Sequence, residues 1–192
     1  MSQPLRTGVR NVLDQLTPQD SADVYEAIRM ANPGGLGKAK QMDVTESVAP
    51  PSLLEAMRAA SDRDLIARQY VDGFQFVFDS PAEWIADDLA RNVRLTDAIV
   101  HAQVRCIAQE SDSLIARKCG PAIAEQTRDF ARAVLRFGGP GHDEYYQALG
   151  DFDFWLRADG HRRNPGTTAD LIAAALFVLL RDQRLANRHL AT

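Results

Sequence analysis

The sequence predicts an all-α fold: a multi-helix bundle with a buried C-terminal helix at its centre. Three observations carry this. Apolar residues recur at helical spacing, with Ile123, Thr127, Phe130, Val134 and Phe137 in one stripe and Tyr145, Leu149, Phe152 and Leu156 in another. No stretch alternates with the period of two that a half-buried strand shows. Residues 171–180 form a purely apolar run, and a helix apolar on all sides belongs inside a bundle.

Taken in order, segments 5–16, 18–30, 52–78, 82–91 and 95–109 carry the helical signal less cleanly, with Ile99, Val100, Val104 and Ile107 as the clearest inner face. Thr17-Pro18-Gln19-Asp20 supplies a capping hydroxyl, a first-turn Pro and an acidic third residue, and so predicts a helix start. Ser80-Pro81-Ala82-Glu83 repeats the arrangement. Thr167-Thr168-Ala169-Asp170 reads as a capping box that opens the apolar run. The longest irregular stretch is 32–51, where Gly and Pro break both helix and strand.

At 192 residues, 45% hydrophobic and 25% charged, the chain has the composition of a single helical domain spanning 1–192. A domain of this size buries roughly 70% of the surface its unfolded chain exposes, so it needs no metal or disulfide staple. The net charge of −4 favours neither nucleic acid nor anionic membrane, and any polyanion must be held by a local basic cluster. Cys106 and Cys119 match neither a redox pair nor a zinc framework and are expected to be reduced and inert. The N-terminus has no signal-peptide core, and the longest apolar run is shorter than the roughly 18 residues that span a bilayer. A cytoplasmic location is the expectation.

Three polar segments hold more chemistry than a simple bundle requires. Segment 32–43 contains Asn32, Gly34, Gly35, Gly37, Lys38 and Lys40. It fails as a Walker loop: the first Gly of that motif would fall at Asn32, the hydroxyl position is Ala39, and a helix precedes it. It reads either as a helix C-cap with a surface loop or as a Gly-rich loop closing over phosphate. Segment 112–120 places Asp112 and Ser113 ahead of Arg117 and Lys118. These residues suit a short capped helix, or a carboxylate and hydroxyl for metal or ribose beside two cations for phosphate. Segment 157–170 sets Arg162 and Arg163 before Asn164, Gly166, Thr167 and Thr168 at the start of the apolar helix. Cations, free N–H groups and a helix dipole all favour an anion there. Asp170 is either the acid of the capping box or a ligand for Mg²⁺ on a bound polyphosphate. His101 and His161 lack the paired spacing of a metal helix and read as local hydrogen-bond partners.

These blocks together resemble the triphosphoribosyl-dephospho-coenzyme A synthases, also called ATP:dephospho-coenzyme A triphosphoribosyl transferases. The resemblance rests on Asp112-Ser113 with Arg117, Lys118 and Gly120, and on the block from Asn164 to Leu171. Asn32-Pro33-Gly34-Gly35 with Met42-Asp43, and the block from Arg63 to Tyr70, add to it. It covers essentially the whole chain. Family members begin with a further helical region carrying a Lys-Pro-Gly type motif. The chain is therefore expected to be the C-terminal part of a longer family fold, whose N-terminal region another chain could supply.

The resemblance implies transfer of the triphosphoribosyl group of ATP to the 2′-hydroxyl of dephospho-coenzyme A, with release of adenine. The product would be the prosthetic-group precursor of citrate lyase or malonate decarboxylase acyl carrier protein. Arg162, Arg163 and Lys118 are then expected on the triphosphate, Arg117 on either substrate, and Ser113, Asn164, Gly166 and Thr167 among the substrate contacts. Asp112 and Asp170 are expected as catalytic carboxylates sharing Mg²⁺. Two alternatives stay open: a related pentosyl or phosphoribosyl transfer in another cofactor pathway, such as that of a one-carbon pterin, or an inactive truncated helical protein that binds ATP.

Overall fold

The structure is a computed structural model and describes residues 12–32, 38–39 and 41–185. After a single 3-10 turn at Val12–Gln15, the helices are α1 (Pro18–Ala31), α2 (Leu53–Ala60), α3 (Leu65–Val71), α4 (Gln75–Asp79), α5 (Pro81–Ala90), α6 (Leu95–Glu110), α7 (Ser113–Cys119), α8 (Pro121–Leu135), α9 (Asp143–Arg157) and α10 (Gly166–Arg181). No strand occurs among the described residues, and none of their helices is long and apolar enough to cross a membrane. The all-α class follows directly. By its internal packing the chain divides into two compact units, 9–75 and 76–192.

In the first unit, Thr17 caps α1 as its sequence predicts: its hydroxyl accepts from Asp20 N–H, and the Asp20 carboxylate accepts from Thr17 N–H at 2.7 Å. The helix ends at Asn32 in a left-handed conformation, φ 42°. The predicted helix over 52–78 is broken. Ser61 closes α2, and Asp64 starts α3 by accepting from Ile66 and Ala67 N–H. Gly73 and Phe74 then take positive φ before α4, so two local stops override a continuous apolar period.

Of the Gly-rich segment read as a helix C-cap or a phosphate-closing loop, residues 33–37 and 40 lie outside the described residues. Its end is ordered by Asp43, which accepts from Ala39 N–H, Thr45 N–H and the Thr45 hydroxyl. The Thr45 hydroxyl, followed by the Ala39 and Thr45 N–H groups, pulls the Asp43 carboxyl down to about 2.

The second unit has α6 buried on several sides through Ala98, His101, Ala102, Val104, Cys106, Ile107 and Ala108, with α5, α8 and α10 packed on it. One core cluster joins Val104, Ile107, Ala131, Val134, Tyr145 and Phe152 from α6, α8 and α9. The α9 stripe is met, whereas α8 stops at Leu135 and leaves Phe137 beyond it, exposed. The C-terminal helix α10 packs on α5, α6 and α7 through Leu171, Ile172, Ala175, Val178 and Leu179. Its other side is open, with Phe177 59% and Leu180 56% exposed, so the all-round burial suggested by its composition holds on one face only.

That one-sidedness can be measured. Leu179→Ala should cost about 2–5 kcal/mol in urea unfolding and Leu180→Ala well under about 1 kcal/mol; equal costs would refute the assigned faces. Asp43, whose folded-state carboxyl is depressed, stabilises its loop above the ordinary carboxylate value, and that contribution disappears as pH falls toward 2. Asp43→Asn should therefore lower the melting temperature at pH 7 and leave it nearly unchanged at pH 2.

Candidate active site

Segments 112–120 and 157–170, far apart in sequence, meet in the second unit. The meeting is made by caps. A helix start leaves N–H groups without intrahelical partners, and here two starts exchange acceptors. Asp112 Oδ1 accepts from Leu114 N–H at 2.9 Å and Ile115 N–H at 3.1 Å, which starts α7. Its Oδ2 accepts from Thr168 N–H of α10 at 2.8 Å and lies 3.1 Å from the Thr168 hydroxyl. In return Thr167 Oγ1 of α10 accepts from Leu114 N–H at 3.1 Å and lies 3.0 Å from Ser113 Oγ. The Leu114 N–H is thus shared between Asp112 and Thr167. Gln103 of α6 braces the junction, donating to Pro165 O at 3.3 Å and to Thr168 Oγ1 at 3.0 Å.

The junction also explains Gly166. A Cβ there would stand 2.7 Å from Leu114 Cδ2, too close unless that side chain moved.

Several predicted roles change with this geometry. Asp112 is fully buried with both oxygens engaged by protein donors, so it caps two helices. Burial pushes its carboxyl above the ordinary range against the pull of the Thr168, Ile115 and Leu114 donors. The predicted capping box fails because α10 begins at Gly166, behind Pro165, and no side chain of its own caps it. Thr167 and Thr168 fall inside the first turn, and Asp170 stands exposed beyond it. Asp112 and Asp170 therefore do not form an open carboxylate pair. The Thr168 N–H at the start of α10 already meets an internal acceptor, the Asp112 carboxyl group.

Those cations divide. The Arg163 guanidinium lies over the Trp155 ring, 4.2 Å from its centroid, and donates to Trp155 O at 2.9 Å. It fastens the 158–165 turn to α9, and only 19% of its side chain is exposed. Arg162 is outward, 62% exposed, with Nη2 reaching Lys118 O at 3.4 Å, and Lys118 is itself exposed. Arg117 is half-buried, with Nη1 3.3 Å from Ser113 Oγ. The ends of the two segments thereby bring Arg162 against the backbone of Lys118, while Arg117 reaches back to the start of α7. Asn164 is exposed in the turn before α10.

Beside the junction, α6 and α9 enclose a cavity of about 300 Å³. Its walls include Ile99, Val104 and Ile107 from α6 and Leu149, Phe152 and Leu156 from α9; its rim is polar, with Asp153, His161 and Asn164. The four residues read from sequence as the inner face of α6 all line this cavity, and Val100 is 41% exposed at it.

The sequence of the model for one family matches residues 1–189, and that family is described as ATP:dephospho-CoA triphosphoribosyl transferase. The chain belongs to this family. A family-like crystal structure, that of a provisionally assigned triphosphoribosyl-dephospho-CoA synthase from Archaeoglobus fulgidus, shares its fold at a TM-score of 0.63 and 28% identity. The likeness covers 88% of this chain and 69% of that one. No protein of curated function matches the chain.

Other polar groups bear on the family fold without having been legible. Asp88 of α5, almost fully buried, accepts at 2.7 Å from His101 Nδ1 of α6 and is also paired with Arg91. The His101 ring meets Tyr145 edge-on, 5.7 Å between centroids. His101 is thus a buried hydrogen-bond partner, as expected, but nothing in the sequence pointed to Asp88. Cys106 and Cys119 are free thiols; burial pushes Cys106 up to about 12, and Cys119 Sγ donates to Arg162 O at 3.5 Å.

The double cap makes a sharp prediction. Asn normally caps about as well as Asp, but at position 112 it has one acceptor for two helices and turns an NH₂ group toward Thr168 N–H. Asp112→Asn should cost about 1–3 kcal/mol in urea unfolding. A cost near zero would mean that Asp112 caps α7 alone.

Proposed function

We propose that the chain transfers the triphosphoribosyl group of ATP to the 2′-hydroxyl of dephospho-coenzyme A and releases adenine. The product would serve as prosthetic-group precursor for the acyl carrier protein of citrate lyase or malonate decarboxylase. The reading is carried by family membership over residues 1–189. It is supported by the exposed cations Arg162 and Lys118, carried by two segments that meet, which suit a triphosphate.

The chemistry is a substitution at the anomeric carbon of the ATP ribose. The bond from C1′ to N9 breaks with its electron pair leaving on adenine, and the acceptor 2′-oxygen forms the new bond to C1′. Adenine gains a proton, and the attacking hydroxyl loses one. Arg162 and Lys118 hold the triphosphate, and Arg117 serves either substrate. Asp170, the exposed carboxylate one turn into α10, is the group of the predicted pair to which we assign acceptance of the hydroxyl proton. Asp112 and Thr167 act through position, by fixing the helix starts that carry these groups.

The donor set fits magnesium only as a companion of the phosphates. Among the described residues no three His, Cys, Asp or Glu side chains gather as a metal cluster. Magnesium on a triphosphate needs only one or two protein carboxylates, and Asp170 could supply one. When bound it would neutralise phosphate charge.

Chromatographic detection of free adenine tests the reading: ATP, Mg²⁺ and dephospho-coenzyme A together should yield adenine in step with a triphosphoribosylated product, and ATP alone should not. Arg162→Ala should raise KM for ATP roughly tenfold or more, the loss of one charge-assisted contact. Absence of adenine at micromolar enzyme would refute the proposal.

A further inference from the structure

The cavity between α6 and α9 has no part in holding the triphosphate, and its chemistry is different. Its walls are apolar on both sides: Ile99, Val104 and Ile107 face Leu149, Phe152 and Leu156. At about 300 Å³ it sits at the small end of ligand pockets, sized for a ring system more than for a whole nucleotide. The charged groups on its lining, Asp153 and Arg157, are paired with each other, so the walls themselves suit an uncharged apolar ring.

The rim adds hydrogen-bonding character. Asn164 belongs to the turn that leads into α10, and its side-chain amide has no partner among the described residues. One amide offers a donor and an acceptor side by side, the pattern that pairs with the N6 and N7 edge of adenine. Asp153 on the same rim is engaged by Arg157 Nε at 2.8 and 2.9 Å, which leaves Asn164 as the neutral edge group. His161 completes the rim in a left-handed conformation, φ 65°. Pro165, also lining the cavity, is the residue before α10, so the cavity adjoins the junction.

We propose that this cavity is the base subsite, taking an adenine ring between α6 and α9 with its edge on Asn164. The inference rests on the proposed reaction, in which both ATP and dephospho-coenzyme A carry adenine. The shared ring is what the cavity recognises.

The test is calorimetric titration of the full chain with adenosine, ATP, dephospho-coenzyme A and inorganic tripolyphosphate. Val100→Trp, at the exposed mouth, should lower adenosine affinity at least tenfold, and Asn164→Ala roughly fivefold, about one hydrogen bond. Tripolyphosphate binding should be unchanged in both. The nucleotide whose affinity falls with adenosine is the one that places its base in the cavity. Unchanged adenosine, ATP and dephospho-coenzyme A binding in a Val100→Trp variant with wild-type melting temperature would overturn the assignment, as would an equal loss of tripolyphosphate binding. Should that variant not fold, methyl NMR of the wild type decides instead: adenosine must shift Ile99, Val104, Ile107 and Leu149, and silent methyls overturn it. Adenine release with silent methyls defeats the subsite alone, whereas shifted methyls without adenine release defeat the proposed reaction alone.

Discussion

The second unit depends on one constraint: two helices begin against each other, and each begins with N–H groups that its own turns cannot satisfy. One carboxylate answers both. Asp112 spends one oxygen on α7 and the other on α10, and Thr167 returns an acceptor to α7. Because the helix dipoles place partial positive charge at both starts, a buried carboxylate between them is stabilised where an isolated one would not be. Gln103 ties the same point to α6, the helix on which α5, α8 and α10 pack.

From that junction follows the division of labour in the site. At the start of α10 the Thr168 N–H is taken by Asp112, and the flanking segments carry exposed cations outward. Arg162 and Lys118 lie at the ends of those segments, linked by a bond from guanidinium to backbone carbonyl. Arg163, identical in type and adjacent in sequence, is turned inward by Trp155 and becomes part of the scaffold. The same turn before α10 also forms part of the rim of the α6–α9 cavity through His161, Asn164 and Pro165. Exposed cations and a largely apolar cavity are thus both carried by segments that the junction fixes.

The fold was legible where its signals are local. The Thr17 capping box and the Tyr145, Leu149, Phe152 and Leu156 stripe depend only on residues within one or two turns, and both are met. The broken 52–78 segment was not legible as such, because the apolar period continues past Asp64 while the backbone stops there. At the site, the segments were identifiable from their polar residues, but their roles were not. Thr167 and Asp170 have the spacing of a capping box, and nothing local shows that Pro165 starts the helix early and frees Thr167 to serve another helix. The partnership of Asp112 with Thr168 spans 56 positions and that of His101 with Asp88 crosses between helices. Such contacts are products of packing, and a local pattern cannot carry them.

The central claim, that α7 and α10 start as one locked unit, is tested most directly by a double-mutant cycle in urea unfolding between Asp112→Asn and Thr167→Val. The two residues share the Leu114 N–H. Locked helix starts predict a coupling energy of about 0.5–3 kcal/mol between the substitutions. Strictly additive costs would show two independent caps and contradict the account.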